Sequence, residues 1–214
     1  MSLTLYFHPL SSFCQKVLIA LYENATPFTP QLVDLGNPAE AAALKRLWPI
    51  GRFPVLRDGD RVVAESSIII EYLQQHHPGA TRFIPADAER ALATRMADRF
   101  YDLCVMDPMQ RIVGDRLRPA DAKDSLGVEQ ARARRRTAYD MIEADMATRR
   151  WATGEDFTMA DCAAAPSLYY ANLVQPFGDG HRQVAAYFHR LMARPSFARA
   201  VDEAEPYRKM FPTG

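Results

Sequence analysis

Two serines and a cysteine near the N-terminus, in the run Ser11-Ser12-Phe13-Cys14, have the types and spacing suited to thiol chemistry. The run matches a Cys-x-x-Cys redox motif whose first cysteine is replaced by serine. A serine hydroxyl cannot form a disulfide, but it can donate a hydrogen bond to the thiolate of a bound molecule. The sequence therefore indicates a thiol-binding site; the alternative is that Ser11 or Ser12 only caps a helix.

A strand followed directly by a helix would position these side chains. Apolar and polar residues alternate over residues 3–7, which predicts a short strand, and Pro9 ends it. From Gln15 to Glu23 apolar residues recur at helical spacing. The serine motif then lies at the N-terminal end of that helix, where unpaired N–H groups and the positive end of the helix dipole favour a bound anion or thiolate.

The pattern of the remaining chain divides it into two parts. Up to residue 78 the sequence predicts a βαβ unit, a short helix and a ββα unit, with a hairpin around Asp58-Gly59-Asp60. Proline and glycine interrupt the pattern over residues 79–86. Only helices are predicted beyond this break, over residues 88–116, 128–149, 160–174, 182–193 and 197–204. We therefore expect an α/β domain at 1–78, a linker at 79–86 and an all-α domain at 87–214.

Two local features of the second part concern folding. Pro108 is expected to bend the helix predicted over residues 88–116. The run Thr158-Met-Ala-Asp161 has the form of a capping box, in which each side chain accepts a hydrogen bond from the backbone of the other residue. We predict that this box starts a helix and has no catalytic role.

The balance of charges argues against a nucleic-acid or membrane partner. Lysine plus arginine and aspartate plus glutamate both number 26, so no net field attracts the chain to a polyanion. The basic run Arg132, Arg134, Arg135 and Arg136 is predicted to be the solvated face of a helix. The sequence also contains no apolar run long enough to span a membrane.

Three cysteines, Cys14, Cys104 and Cys162, lie far apart and show no metal-ligand spacing. This pattern predicts reduced thiols rather than a disulfide framework, and we expect no metal site. Because no targeting segment is evident, the sequence predicts a cytoplasmic protein.

Two further motifs of the first part have the properties of a peptide-binding site. In Gly51-Arg-Phe-Pro-Val-Leu56, a cis Phe53-Pro54 bond would leave the Phe53 backbone free to pair with an extended peptide, although only about 5–6% of such bonds are cis. Glu65-Ser66 opens the next predicted helix, where a serine cap would present N–H groups and a hydroxyl to a carboxylate. The alternative for Ser66 is a plain cap.

Together these motifs closely resemble a cytosolic glutathione S-transferase of the serine type, similar to bacterial members near the theta and zeta classes. The resemblance rests on the order of the Ser-x-x-Cys helix start, the Gly51–Leu56 run, the Glu-Ser-x-x-Ile-x-x-Tyr-Leu helix start, the proline-rich linker and Phe157-Thr-Met-Ala-Asp161. It covers essentially the whole chain. It implies a thioredoxin-like N-terminal domain, an all-α C-terminal domain, glutathione as co-substrate, a small hydrophobic electrophile as second substrate, and a homodimer.

The resemblance also implies roles for individual residues. Ser11 would donate a hydrogen bond to the glutathione sulfur, with Ser12 as a possible substitute and Tyr6 as a weaker rival. Phe53 would pair through its backbone with the cysteinyl unit, and Pro54 would be the cis proline of the family.

The remaining implied roles concern the two ends of glutathione. Glu65 and Ser66 would bind the γ-glutamyl amine and carboxylate, and Arg52 would pair with the glycyl carboxylate. Leu10, Phe13, Tyr101 and Phe211 are candidates for the wall of the electrophile cleft.

Two departures from the family pattern narrow the expected chemistry. Trp48-Pro49 stands where many members have Asn-Pro, and Cys14 stands at the resolving position of a redox motif that lacks its nucleophile. Dithiol reduction is therefore not expected. Glutathione-dependent isomerisation and a non-catalytic carrier or interaction role are the alternatives to conjugation.

Overall fold

Four strands form one mixed sheet in the computed structural model, which describes residues 3–212. The strands are β1 (Leu3–Phe7), β2 (Phe28–Leu32), β3 (Val55–Asp58) and β4 (Arg61–Ala64), in the order β2-β1-β3-β4. β1 runs parallel to β2 and antiparallel to β3, while β3 and β4 form the antiparallel hairpin predicted from the sequence. Gly59 in its turn has φ of 57°, a conformation that glycine adopts without steric cost.

Three helices accompany this sheet, α1 (Ser12–Glu23), α2 (Pro38–Leu47) and α3 (Ser66–His76). The inward side chains of β1 are buried in the main core, to which α1 and α3 also contribute. Tyr6 points to the other face of β1 and packs with Val33, Leu44 and Val55 in a smaller core that includes α2. β1 thus separates two cores, and its C-terminal end leads directly into the serine motif.

The rest of the described chain is helical. Its α-helices are α4 (Ala88–Phe100), α5 (Asp107–Arg116), α6 (Ser125–Met146), α7 (Met159–Val174), α8 (Arg182–Met192) and α9 (Pro195–Ala204). α7 is buried along almost its whole length and contacts α1, α4, α5 and α8. The thioredoxin-like sheet region and the helical region therefore share the main core.

A π-helical segment over Tyr101–Met106 replaces the simple bend expected at Pro108. Its wider turn is seen in the hydrogen bond from the Asp107 N–H to the carbonyl of Asp102, five residues earlier. Pro108 has no N–H, so it cannot donate the bond that a regular α-helix would send to the carbonyl of Cys104. The widened turn therefore occurs directly before the proline.

The basic run of α6 differs from its prediction at one position. Arg134 and Arg136 are exposed, as expected, but Arg135 is fully buried and donates a hydrogen bond to Gln175 over 2.6 Å. Burial lowers the pKa of the Arg135 guanidinium. The prediction of a wholly solvated face was wrong there, because α5, α8 and the π-helical segment pack against α6 and bury its Ala131, Arg135 and Ala138 side.

Among residues 3–212, we find no helix that combines the length and the apolar character needed to cross a membrane.

Candidate active site

Ser11 is the N-cap of α1, and its hydroxyl oxygen accepts a 3.3 Å hydrogen bond from the Cys14 N–H. The Ser11 N–H donates to the carbonyl of His8 over 3.0 Å and closes the turn between β1 and α1. Ser11 therefore caps the helix, which is the alternative that the sequence left open for Ser11 or Ser12. Because the cap uses only an acceptor position of the hydroxyl, its proton remains available for donation to a ligand.

Cys14 is fully buried on α1 below this turn. Burial raises the pKa of its thiol to about 12, although the Ser11 hydroxyl and the His8 backbone act in the opposite direction. A thiol with such a pKa is protonated at neutral pH and is a poor nucleophile. Cys14 is therefore a buried, protonated thiol in this structure.

The Phe53-Pro54 peptide bond is cis, as the resemblance implied. Pro54 is buried, and Phe53 is half-buried with its ring 6.2 Å from that of His8, measured between centroids. Gly51 precedes this pair with φ of 70°, where a side chain would also collide with Lys45. The loop before β3 is therefore fixed next to the turn that carries Ser11.

Glu65, rather than Ser66, occupies the N-cap of α3, which corrects the prediction of a serine cap. Its φ is 69°, a left-handed conformation that costs about 1–3 kcal/mol for a residue other than glycine. Such conformations are concentrated at binding sites because the surrounding structure must hold them. Ser66 is the first helical residue, so it lies at the end of α3 where the first N–H groups are unpaired within the helix.

A cavity of about 260 Å³, called the polar cavity here, brings Arg52, Phe53, Pro54, Glu65 and Ser66 together. These are all five residues to which the sequence assigned glutathione binding. The other residues that line it are Phe13, Trp48, Arg99, Asp102, Leu103, Asp107 and Gln110.

Arg99 and Asp102 are charged residues of the polar cavity that the sequence analysis missed. They form an ion pair of 2.6 Å at i, i+3 spacing. Burial raises the pKa of Asp102, with the Lys16 ammonium opposing the rise. Burial alone would lower the pKa of Arg99, but Asp102, Asp98 and Glu65 raise it. In the sequence, the i, i+3 spacing of Arg99 and Asp102 could have indicated an ion pair at the site. The same spacing is also typical of ion pairs on the exposed surface of a helix, so it did not single out these residues.

A second cavity of about 360 Å³, called the apolar cavity here, adjoins the first. It is lined by Leu10, Ser11, Ser12, Phe53, Met109, Gln110, Val113, Gly114, Leu117, Tyr170 and Phe211. Phe53 and Gln110 line both cavities. A peptide in the polar cavity would therefore place its thiol next to an apolar space in which Ser11 and Ser12 lie.

The four residues expected to line the electrophile cleft have different positions. Leu10 and Phe211 line the apolar cavity, as expected, and Phe13 lines the polar one. Tyr101 instead lies in a groove between α4 and α6, so that prediction was wrong. Tyr101 is buried and belongs to the main core, so its ring packs within the helical region rather than at the cleft.

Tyr6, the rival donor, lines neither of the two cavities among the residues that the structure describes. It packs in the small core on the α2 side of the sheet. Its position supports the preference for the serines as donors.

Comparison with known proteins gives two family matches that follow one another along the chain. Residues 5–81 match the glutathione S-transferase N-terminal domain, and residues 100–195 match the glutathione S-transferase C-terminal domain. Glutathione S-transferase 3 of Zea mays is 30% identical over 208 residues, which cover 93% of each chain. The stringent starvation protein A homolog of Haemophilus influenzae is 27% identical over 221 residues, covering 97% of this chain and 94% of that one.

A solved structure agrees with these matches. The glutathione S-transferase of Methylobacillus flagellatus, crystallised with glutathione bound, is 26% identical and superposes with a TM-score of 0.85. The superposition covers 93% of this chain and 98% of the other. The shared fold, the two consecutive domain matches and the maize relative show that this chain belongs to the glutathione S-transferase family.

Proposed function

We propose that this protein is a glutathione transferase that binds glutathione in the polar cavity and an electrophile in the apolar cavity. The observation that carries the proposal is that the two cavities share Phe53 and Gln110, with the Ser11 hydroxyl on the apolar side of this boundary. Membership of a transferase family supports the same reaction and makes glutathione its co-substrate. The boundary is where a thiolate and an electrophilic carbon would meet.

The charges of the polar cavity match those of glutathione. The γ-glutamyl end carries an ammonium and a carboxylate: Glu65 and Asp102 would bind the ammonium, and Ser66 with the N–H groups of α3 would bind the carboxylate. Arg52 would pair with the glycyl carboxylate at the other end of the tripeptide. The Phe53 backbone, ahead of the cis bond, would pair with the cysteinyl unit.

Thiolate stabilisation is the central chemical step. A free thiol is only a few per cent ionised at neutral pH, so a hydrogen bond from the Ser11 hydroxyl to the sulfur would raise the reactive fraction. The positive end of the α1 dipole acts in the same direction. With a halide, the thiolate then forms a C–S bond while the halide departs with its electron pair. With an enone, the C–S bond forms while the electron pair of the double bond shifts away and the product takes up a proton. No covalent enzyme intermediate is needed.

A glutathione titration followed by an electrophile screen tests this function. We expect saturable glutathione binding and turnover of at least one member of a panel of aryl halides, benzyl halides and enones. The product mass should be that of glutathione plus the substrate, less hydrogen halide for a halide and in full for an enone. Mass spectrometry also separates conjugation from isomerisation, which leaves the substrate mass unchanged. Glutathione binding without turnover across the panel would contradict the enzymatic proposal and favour a carrier role.

We also propose that the protein is a homodimer, as the family resemblance implies. Large apolar side chains are exposed on neighbouring helices, including Ile68 on α3 and Leu92 and Met96 on α4. Such a surface suits a partner of the same kind. Sedimentation at micromolar concentration should give twice the chain mass of 24.1 kDa, and a strict monomer would overturn this proposal.

We further propose a domain boundary and a cellular location. We place the domain boundary in the linker at 79–86, supported by the change from mixed to helical structure between α3 and α4. The outer limits of the two domains, residues 1 and 214, lie outside the described residues. A cytoplasmic location is supported by the free state of Cys14, Cys104 and Cys162.

A further inference from the structure

A lysine with no role in the reaction described above lies fully buried between the sheet region and the helical region. Lys16 is on α1, one turn beyond the serine motif, and only 1% of its side chain is exposed. An ammonium ion is rarely buried unless it is paired, because removing it from water is costly. The partners of Lys16 therefore indicate why this position carries a charge.

The Lys16 ammonium has three oxygen partners from other helical segments. It lies 2.5 Å from Oδ1 of Asp98 on α4 and 2.9 Å from Oδ2 of Asp102 in the π-helical segment. It also donates a 2.9 Å hydrogen bond to the hydroxyl of Ser67 on α3. Ser67 in turn donates to Oδ2 of Asp98 over 2.7 Å. This Lys16 cluster joins α1, α3, α4 and the π-helical segment through a continuous set of polar contacts.

Asp102 is the member of the cluster that reaches the polar cavity. One of its oxygens binds Lys16 inside the protein, and the same oxygen contacts Arg99 at the cavity wall. Its side chain is 7% exposed and lines the cavity with Glu65 and Ser66. The cluster thus fixes a nearly buried carboxylate at the place where a ligand ammonium would bind.

The charges around Asp102 are nearly balanced only while Lys16 is present. The carboxylates of Asp98 and Asp102 face the Lys16 ammonium from α1 and the Arg99 guanidinium from α4. Ser67 contributes a neutral hydroxyl from α3, and Glu65 adds a further negative charge near Arg99. Without Lys16, Asp102 would face the more deeply buried carboxylate of Asp98, with only the half-exposed Arg99 guanidinium to compensate. A carboxylate in that position gains a proton more easily.

We propose that Lys16 is a positioning residue for glutathione, which acts through Asp102 by keeping that carboxylate ionised and directed at the polar cavity. The inference rests on the proposed binding of glutathione in that cavity. Lys16 does not touch the ligand. Its role is to let a nearly buried acid bind the γ-glutamyl ammonium at neutral pH.

A double-mutant cycle on glutathione affinity tests the inference. Lys16→Met replaces the ammonium by an apolar group of similar length, and Asp102→Asn removes the carboxylate charge. We expect each change to weaken glutathione binding by about tenfold, measured by titration calorimetry, while kcat at saturating glutathione falls less than about threefold. Adding Lys16→Met to Asp102→Asn should weaken binding by no more than about twofold further, because the group through which Lys16 acts is already absent.

The pH dependence of affinity provides a second measurement. In Lys16→Met, the pKa of Asp102 should rise because burial is no longer opposed by the Lys16 ammonium, so affinity should recover as the pH rises and the carboxylate ionises. The Asp102→Asn variant should lack this recovery, and the unmutated protein should show less of it. A merely structural loss would not depend on pH in this way.

Arg135→Met is the matched control, since Arg135 is also a fully buried cation but lines neither cavity. It should leave glutathione affinity unchanged. If Lys16→Met does not fold, Ser67→Ala removes one contact of the same cluster and should weaken binding by about threefold, again only when Asp102 is present.

The outcomes separate the inference from the function on which it rests. If the unmutated protein binds no glutathione, the proposed function fails. If it binds glutathione and the effects of Lys16→Met and Asp102→Asn simply add, Lys16 is only structural and the inference is overturned. The same conclusion follows if folded Lys16→Met, or folded Ser67→Ala in its place, retains full affinity.

Discussion

Replacing Ser11 with alanine is expected to lower the turnover of glutathione conjugation by about tenfold or more while changing glutathione affinity by less than about threefold. The Ser11 hydroxyl lies on the wall of the apolar cavity, and its proton is not used by the cap that it forms with Cys14. The contacts that we propose for glutathione lie elsewhere, in the polar cavity. Removal of the hydroxyl should therefore raise the pKa of the bound thiol without releasing the tripeptide.

Steady-state kinetics over a range of pH measure this effect. In Ser11→Ala, kcat/KM should rise with pH through a higher apparent pKa than in the unmutated protein, because the thiolate forms less readily. Ser11→Thr keeps a hydroxyl and should restore most of the turnover. The loss of the helix cap costs about 1 kcal/mol in stability, so folding must be verified for each variant.

The neighbouring serine and Tyr6 provide the decisive comparison. Ser12 lines the same cavity but is the first residue of α1 rather than its cap. If Ser12→Ala loses turnover and Ser11→Ala does not, the donor is Ser12. A loss confined to Tyr6→Phe would contradict both serine assignments.

The second large effect concerns folding. Replacing Asp161 with alanine is expected to lower the free energy of unfolding by about 3–5 kcal/mol, because several buried donors would lose their acceptor. Asp161 is fully buried and accepts hydrogen bonds from the N–H groups of Ala152 and Thr158, each at 2.8 Å. It also accepts one from the Tyr187 hydroxyl at 2.6 Å. The loss is a large part of the total stability of a typical domain, which is about 5–15 kcal/mol.

Urea denaturation followed by circular dichroism measures this change, at one fixed protein concentration because dimerisation would shift the transition. Asp156→Ala is the control on a nearby loop. Asp156 is 68% exposed and pairs with an exposed Arg90, so its replacement should cost about 1 kcal/mol or less. If the two variants were equally stable, the capping box would not have the folding role assigned to it.

The sequence predicted the elements whose order follows from periodicity and turn residues. The strand at residues 3–7, the hairpin at Gly59 and the helix that begins at Ser66 are all confirmed. The capping box of Thr158 and Asp161 is confirmed as well. These features depend on residues close together in the chain, where steric and hydrogen-bonding preferences act directly.

The residues to which the sequence assigned binding and catalysis were found through motifs, and the structure places them around two adjoining cavities. Their individual roles stay predictions until the variants are measured. The sequence could not predict which charged residues of distant helices come together behind the polar cavity. Lys16, Asp98 and Asp102 have the spacing of ordinary helical charges, and only tertiary packing buries them together. The positive φ of Glu65 likewise depends on the surroundings that hold it.

The π-helical segment between α4 and α5 has a consequence for insertions and deletions. Each residue of an α-helix advances the chain by about 100° around the axis, so a change of one residue in a helix rotates everything after it. The π-helical turn already holds one residue more than an α-helical turn, so inserting a further residue within Tyr101–Met106 should turn α5 relative to α4 and move Met109 and Gln110 away from the cavity wall. The shape of the apolar cavity thus depends on the number of residues between Arg99 and Gln110 as well as on their side chains.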